Sequence, residues 1–319
     1  MIALEKVREL VIEPLSENRP AYVVSASGLV RLENRIFIVA DDELHLAEFD
    51  LRSSQPGRWF RLLPGMLPSD YKDRKKQKAD LETITRIQPD TYAAGGALLV
   101  MPSMSRSNRV TGAMLQLEKG QVRAESPIPI DFSDIRNRLT ESIDGLNVEG
   151  IAIQKKVTKL FHRGSKTKGK SVVVELDTEA FLRDLHDTHR PSSTCISKLR
   201  EYDLGDIEGV GLSFTDAVPM SDGRIVFLAA AEATDDEYQD GASLGSSLGI
   251  MKGNGDIERM VRIAGREKFE GICADYLSSG INSGFSSDAV GHTLEILLVS
   301  DTDNEKVPAN LYRASVSLN

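Results

Sequence analysis

Five times along this chain a polar turn gives way to a run of aliphatic residues through a single acidic or hydroxyl residue set among small ones. The copies read VVSASGLVRL around Ser27, KADLETITRI around Glu82, GLNVEGIAIQ around Glu149, GLSFTDAVPM around Asp216 and REKFEGICAD around Glu270. Positions 27, 82, 149, 216 and 270 are 55, 67, 67 and 54 residues apart. A repeat of this length constrains the fold more than any other feature of the sequence. Each unit is too small to bury its own apolar face, so the units must stack on one another.

Each copy is followed by a β-rich run, a polar loop and a second β run, as in RIFIVADDELHLAEFDL after Ser27 and VTKLFHRGSKTKGKSVVVELD after Glu149. The runs are rich in Val, Ile, Leu and Phe and are bounded by Gly, Asp, Asn and Ser, as strands are. A third polar junction leads to a further strand, as in GQVRAESPIPI, SKLREYDL and GDIERMVRI. Four strands per unit is the content of a propeller blade. The expected fold is therefore all-β, a five-bladed β-propeller forming one domain over 1–319. Its blades fall roughly at 20–70, 71–132, 133–205, 206–264 and 265–319. The last blade runs out of chain at LYRASVSLN, while ELVIEPL near the start has no partner of its own. An N-terminal strand at 8–15 is expected to complete the last blade and close the ring, which removes the exposed edges of an open stack. DFSDIRNRL and TEAFLRDLHD, at 178–187, carry apolar residues at helical spacing and read as insertions. A β-sandwich pair or a barrel is the competing architecture, and the long repeat argues against it.

The 319 residues carry a formal net charge of -9, which argues against a nucleic-acid binder, since phosphates need a basic face. The basic run KDRKKQK, Lys72 to Lys78, reads as a solvated loop. Cys195 and Cys273 form no CxxC and no disulfide framework, so reduced thiols and a cytoplasmic location are expected. No stretch approaches 18 consecutive apolar residues, so no membrane helix is expected.

In a propeller the first strand of each blade lines the central channel. The loop entering that strand and the loop between the second and third strands open on the same face. Glu82, Glu149, Asp216 and Glu270 should then ring one mouth, with Ser27 in the fifth place. Like charges about 4 Å apart repel by roughly 4 kcal/mol at an effective dielectric of 20. Such a ring must be hydrated, partly protonated or neutralised by a cation. With oxygen ligands and no His/Cys cluster, Ca²⁺ or Mg²⁺ is the metal to expect, Ca²⁺ taking about six to eight oxygens; no organic cofactor is expected. Alternatively, each acidic residue accepts backbone N–H bonds from the neighbouring blade, or one of them is catalytic.

The loops add Asp41 and Asp42 in VADDEL, Arg106 and Arg109, His162 and Arg163 in FHRGS, Glu232, Asp240 in the glycine- and serine-rich DDEYQDGASLGSSLG, and Asp301 and Asp303 in VSDTDN. Arginines at a channel mouth suit a phosphate or carboxylate ligand, or pair with the acidic ring. VSDTDN lacks the glycine and the distal glutamate of an EF-hand. The glycine-rich segment lacks the lysine of a phosphate-binding loop. No GxSxG elbow supports a serine triad, and the two cysteines read as buried.

Taken together, SASGLV with VADDELHL, DLETIT, NVEGIAI with LFHRGS, FTDAVP with AAAEATDDEYQDG, and KFEGICAD with VSDTDN resemble a group of uncharacterised bacterial β-propeller proteins. That group is similar to the esterase-like domains of some phytases. EGIA and RG are the most specific elements, and Ser27–Gly28 departs from Glu–Gly in the first blade. The resemblance implies a polar channel mouth with a hydrolytic or ligand-binding role; a likeness to calcium-dependent lactonases is one of architecture. The expectation is a metal-assisted hydrolase of a phosphoester, ester or lactone. Glu82, Glu149, Asp216 and Glu270 would surround the cation, His162 or Glu149 would act as acid/base, and Arg106 and Arg163 would bind an anionic group of a small molecule. A binding module for a small ligand or peptide, or a protein-interaction scaffold, are the alternatives.

Overall fold

The computed structural model describes residues 1–89, 95–123, 127–164, 170–233, 242–277, 293–302 and 304–318. Five four-stranded antiparallel units stand around an axis, each running from the inside outward in chain order. The first holds Ala26–Leu32, Arg35–Ala40, His45–Asp50 and Arg58–Arg61; the second Leu81–Ile87, Ala97–Pro102, Thr111–Glu118 and Ile128–Asp131. The third holds Val148–Ile153, Val157–His162, Ser171–Asp177 and Ile196–Tyr202; the fourth Ser213–Pro219, Ile225–Ala233, Ala242–Met251 and Ile257–Arg262. The fifth takes Lys268–Tyr276, Thr293–Asp301 and Asn310–Ser317, and its outer strand is Glu5–Glu9 from the other end of the chain. The ring is thus a five-bladed propeller closed by an N-terminal strand. The closing strand lies earlier than 8–15 because ELVIEPL fills a different place, with Leu10 and Ile12 buried in the seam between the fifth and first blades. An outermost strand needs little apolar character, and EKVRE fits that position.

Five hydrophobic clusters fill the five seams, one between each pair of neighbouring blades. Successive residues of a strand therefore serve different cores. Ile151 packs toward the second blade and Ala152 toward the fourth. Strands buried on both faces explain the continuous aliphatic runs of the sequence, where half-exposed strands would alternate. The seam between the third and fourth blades is aromatic: Phe214 meets Phe161 and Phe227 edge-on, with ring centroids 5.1 Å apart in each case. The seam between the second and third blades also takes up two helices, α2 (Ser133–Leu139) and α3 (Thr178–Asp187). In α3 Asp177 caps the N-terminus, accepting from the Ala180 N–H, and Phe181, Leu182 and Leu185 turn inward. These are the two segments read as helical from spacing.

KDRKKQK is not a solvated loop. Tyr71–Gln77 forms α1, capped by the Asp70 carboxylate accepting from the Asp73 N–H, and it joins the first blade to the second. Arg74 is fully buried, and its Nε donates to Asp42 at 2.8 Å. Charge density misled here because long cationic side chains can turn inward when carboxylates wait for them. Among the described residues no helix is long and apolar enough to cross a membrane.

At the start of every inner strand the ladder to the second strand skips one residue, a β-bulge. The skipped residues are Ser27, Glu82, Glu149, Thr215 and Glu270. In three blades the next residue is a glycine, and close backbone approach requires it. A Cβ on Gly28 would stand 3.0 Å from the Glu82 carbonyl oxygen, and one on Gly150 would stand 2.9 Å from the Ala217 nitrogen. The bulge turns one side chain out of the ladder while the following residue seals the seam to the next blade.

Candidate functional site at the channel mouth

Thr215, not Asp216, occupies the repeated position of the fourth blade. The repeat is offset there by one residue because FTDA offers two polar side chains in succession. Asp216 stands where three other blades have glycine. Its carboxylate accepts from the Ala217 N–H at 2.7 Å and from the Ile272 N–H of the fifth blade at 2.8 Å. Thr215 donates to the Phe269 carbonyl at 2.7 Å. Both side chains tie the fourth blade to the fifth, the backbone-bonding alternative for the acidic repeat. Burial raises the Asp216 carboxyl well above the ordinary range, against the pull of those two N–H donors. Ser27 also spends its hydroxyl on backbone, donating to the Ser25 carbonyl at 3.3 Å.

The remaining residues meet across the mouth. On the side of the first two blades, Asp41 receives the ammonium of Lys75 at 3.0 Å and that of Lys78. Lys78 also lies 2.6 Å from Asp80, which takes Arg109 Nη1 at 2.8 Å and the hydroxyl of Ser105 at 2.9 Å. Asp80 adopts a left-handed backbone, φ 62°, a conformation that an aspartate tolerates better than most residues. Burial would raise Asp41 and Asp80, but the neighbouring cations outweigh it and hold both below the usual carboxylate range. Against the opposing effect of burial, Asp41 with Asp301 and Asp42 raises Lys75, and Asp41 with Asp80 raises Lys78, so both stay charged.

On the other side, Arg163 reaches residues of three blades: Glu149 at 3.4 Å, Glu232 at 2.6 Å and Glu270 at 3.7 Å. Lys268 contacts Glu270 at 2.7 Å, Glu232 at 3.0 Å and Asp301 at 3.9 Å. Charges of opposite sign therefore alternate around most of the opening. The alternation fails between the two sides, at Glu82 and Glu149. Burial raises Glu82 well above the ordinary value, and Glu149 and Asp80 add to it. Burial raises Glu149 to about 8; Arg163 opposes this and Glu270 reinforces it.

Other expected residues stand elsewhere. Arg106 is exposed on its loop, and Arg109, three residues on, is the buried arginine that reaches the mouth. Asp42 anchors α1 through Arg74. His162 is buried, with Nδ1 3.0 Å from both the N and the O of Asn147. Desolvation brings its pKa down to about 4, so the ring is neutral at pH 7 and serves the turn into the third blade. Asp240 and Asp303 lie outside the described residues. Sequence reasoning missed Lys75, Lys78, Asp80 and Lys268. Asp80 and Lys268 both stand two places before the repeated glutamate, so the motif itself held that signal. Of the expected metal set, Asp216 is committed to backbone N–H groups and Glu270 to Lys268. The acidic group that converges is Asp41, Asp80 and Glu82, one oxygen of each within 4.8 Å of the others. The Lys78 ammonium already sits against the first two.

Known proteins share this architecture at low identity. An α-L-arabinofuranosidase from Podospora anserina, solved with cellotriose, matches with a TM-score of 0.54 at 11% identity over 99% of this chain and 96% of its own. The catalytic domain of a GH62 α-L-arabinofuranosidase from Coprinopsis cinerea matches with a TM-score of 0.52 at 11% identity over 98% and 96%. At such identity the likeness is one of fold. No curated protein matches the chain. Residues 22–316 match a family described as a family of unknown function, DUF6929, and the chain belongs to it.

Proposed function

We propose that the channel mouth is the active site of a hydrolase acting on a small, oxygen-rich substrate, with Glu149 as the general acid. One observation carries this reading: a buried carboxyl at the mouth that holds its proton near neutral pH, its value pushed up to about 8. Asn147 Nδ2 donates to Glu149 Oε1 at 2.5 Å, and Arg163 Nη1 approaches the same oxygen at 3.4 Å. Both donors address Oε1, which leaves Oε2 to carry the proton. A carboxylic acid held neutral by its surroundings is the form needed to protonate a leaving oxygen. The partner would be Glu232, which lies 2.6 Å from Arg163 and 3.0 Å from Lys268. It would take a proton from the attacking water as the C–O bond breaks and Glu149 protonates the departing oxygen. The two arabinofuranosidases of the same fold are themselves hydrolases, which supports the reading at the level of the fold only. Arg163 serves here to orient Glu149.

The test is turnover on a panel of chromogenic arabinofuranosides, acetate esters, lactones and phosphoesters. At least one should be hydrolysed, and Glu149→Gln should lower kcat about 100-fold or more. An active wild type whose rate survives Glu149→Gln would remove Glu149 as the acid. A second reading, a non-catalytic small-molecule binder, is favoured by the extent to which the mouth's charges are already paired within the chain. It gains if the whole panel is inert while a ligand still raises Tm.

A further inference from the structure

Carboxyl groups outnumber cations at the mouth among the described residues. Seven carboxyl groups face five cations: Asp41, Asp80 and Glu82, then Glu149, Glu232, Glu270 and Asp301, against Lys75, Lys78, Arg109, Arg163 and Lys268. Burial biases two of the seven, Glu82 and Glu149, toward the protonated form, and a cation arriving beside either would draw it back to the ionised form. Asp216 is left out of this count because both its oxygens accept backbone N–H bonds. Each of the five cations lies within 4.0 Å of at least one of these carboxylates. Six of the seven carboxylates lie as close to a cation. The exception is Glu82: among the described residues it has neither a hydrogen bond nor an ion pair, although it is 7% exposed. A buried carboxyl without a partner is costly unless something external meets it. Its oxygen is directed at the group that already holds the Lys78 ammonium, within 4.8 Å of Asp41 and Asp80.

We infer that the ligand of this mouth carries a hydrogen-bond-donating cation, a primary ammonium or a guanidinium, which docks on Glu82. The inference deepens the reading of the mouth as a substrate site and rests on it. An anionic ligand would have to break existing pairs, because the arginines and lysines are committed. The sequence suggested an anion because it displayed Arg106 and Arg163 without showing their partners. A divalent metal fits less well than an ammonium. Ca²⁺ requires about six to eight oxygens, and it would lie beside the ammonium of Lys78. The cluster already accommodates one cation of the donor type, in Lys78 itself.

Isothermal titration calorimetry at constant ionic strength tests the inference with three probes: agmatine, which carries both cationic groups, calcium chloride, and sodium phosphate. Agmatine should bind one to one with a Kd below about 1 mM. Glu82→Gln should weaken it about tenfold or more, since the neutral amide cannot pair with the incoming charge. Lys78→Met removes the competing ammonium and should tighten agmatine about tenfold, an effect that a damaged fold would not mimic. Binding of Ca²⁺ without agmatine, binding of phosphate, or no binding of agmatine up to about 10 mM would each overturn the inference. So would indifference of agmatine binding to both substitutions. Because calorimetry reads binding without turnover, agmatine binding by an inactive protein would sink the hydrolase alone. Turnover without agmatine binding would sink the cation alone.

Discussion

Glu149 has consequences for stability as well as chemistry. Its folded-state pKa of about 8 stands above the ordinary 4.5, so the folded protein holds a proton that the unfolded chain releases between those values. The stabilisation linked to that proton is complete below about 4.5 and is lost as the pH rises through about 8. Urea denaturation at about pH 5, 6.5 and 8 should show the wild type losing about 1 kcal/mol per pH unit relative to Glu149→Gln. A constant difference between the two proteins would mean that the carboxyl is already ionised. Placement at this scale was legible where one polar residue stands alone between small ones, as in NVEGI. It failed at FTDA, where the ladder and not the composition decides which of two neighbours is skipped. A bulge is a matter of hydrogen-bond register between strands that lie apart in sequence, and no local pattern encodes it. Pairing was equally hidden. Arg163 could be placed at the mouth from its loop, but its three carboxylates belong to three blades.

Among the elements, α1 is the clearest departure from what the sequence suggested. Its signal was present, since Asp70 stands three residues before Asp73 and caps the helix, but seven charged or polar residues argued for solvent. The buried Arg74–Asp42 pair holds the helix so that Lys75 and Lys78 reach Asp41. Arg74→Met would leave Asp42 buried without its hydrogen-bonded cation, a loss of up to about 3–5 kcal/mol. Arg74→Met combined with Asp42→Leu should recover much of it, because removing both charges also removes their desolvation cost. Chemical denaturation of the four proteins of that cycle measures the coupling; additive losses would show that the pair does not act as a unit. The strands themselves were readable because both faces are buried, and α2 and α3 because their apolar residues recur at helical spacing. The outer strand Glu5–Glu9 was misplaced because an edge strand carries little apolar signal.

For the whole molecule, the ring depends on joining the two ends of the described chain. Glu5 pairs with Arg313 and Glu9 with Asn310, so one sheet is made from both. Deleting residues 1–9 should cost about 3 kcal/mol or more through lost ladder bonds and the exposed Ile2 seam. It would also leave Asn310–Ser317 as an open edge that pairs with other chains. Thermal melting and size-exclusion chromatography read the two effects, and a monomer of unchanged Tm would show that closure contributes little. The five-fold architecture was the most legible feature of all, because repetition is a long-range property written in local text.

The closing strand also sets an order of events. During synthesis Glu5–Glu9 is made before the other strands of the ring, yet its partner, Asn310–Ser317, is made after them. At about 5–20 residues per second it waits tens of seconds with both edges unpaired. Its sequence, EKVRE, suits that interval: four of five residues are charged, and only Val7 would reward a wrong partner. The strand that completes the ring is therefore also the one least able to aggregate while the rest of the ring is still being made.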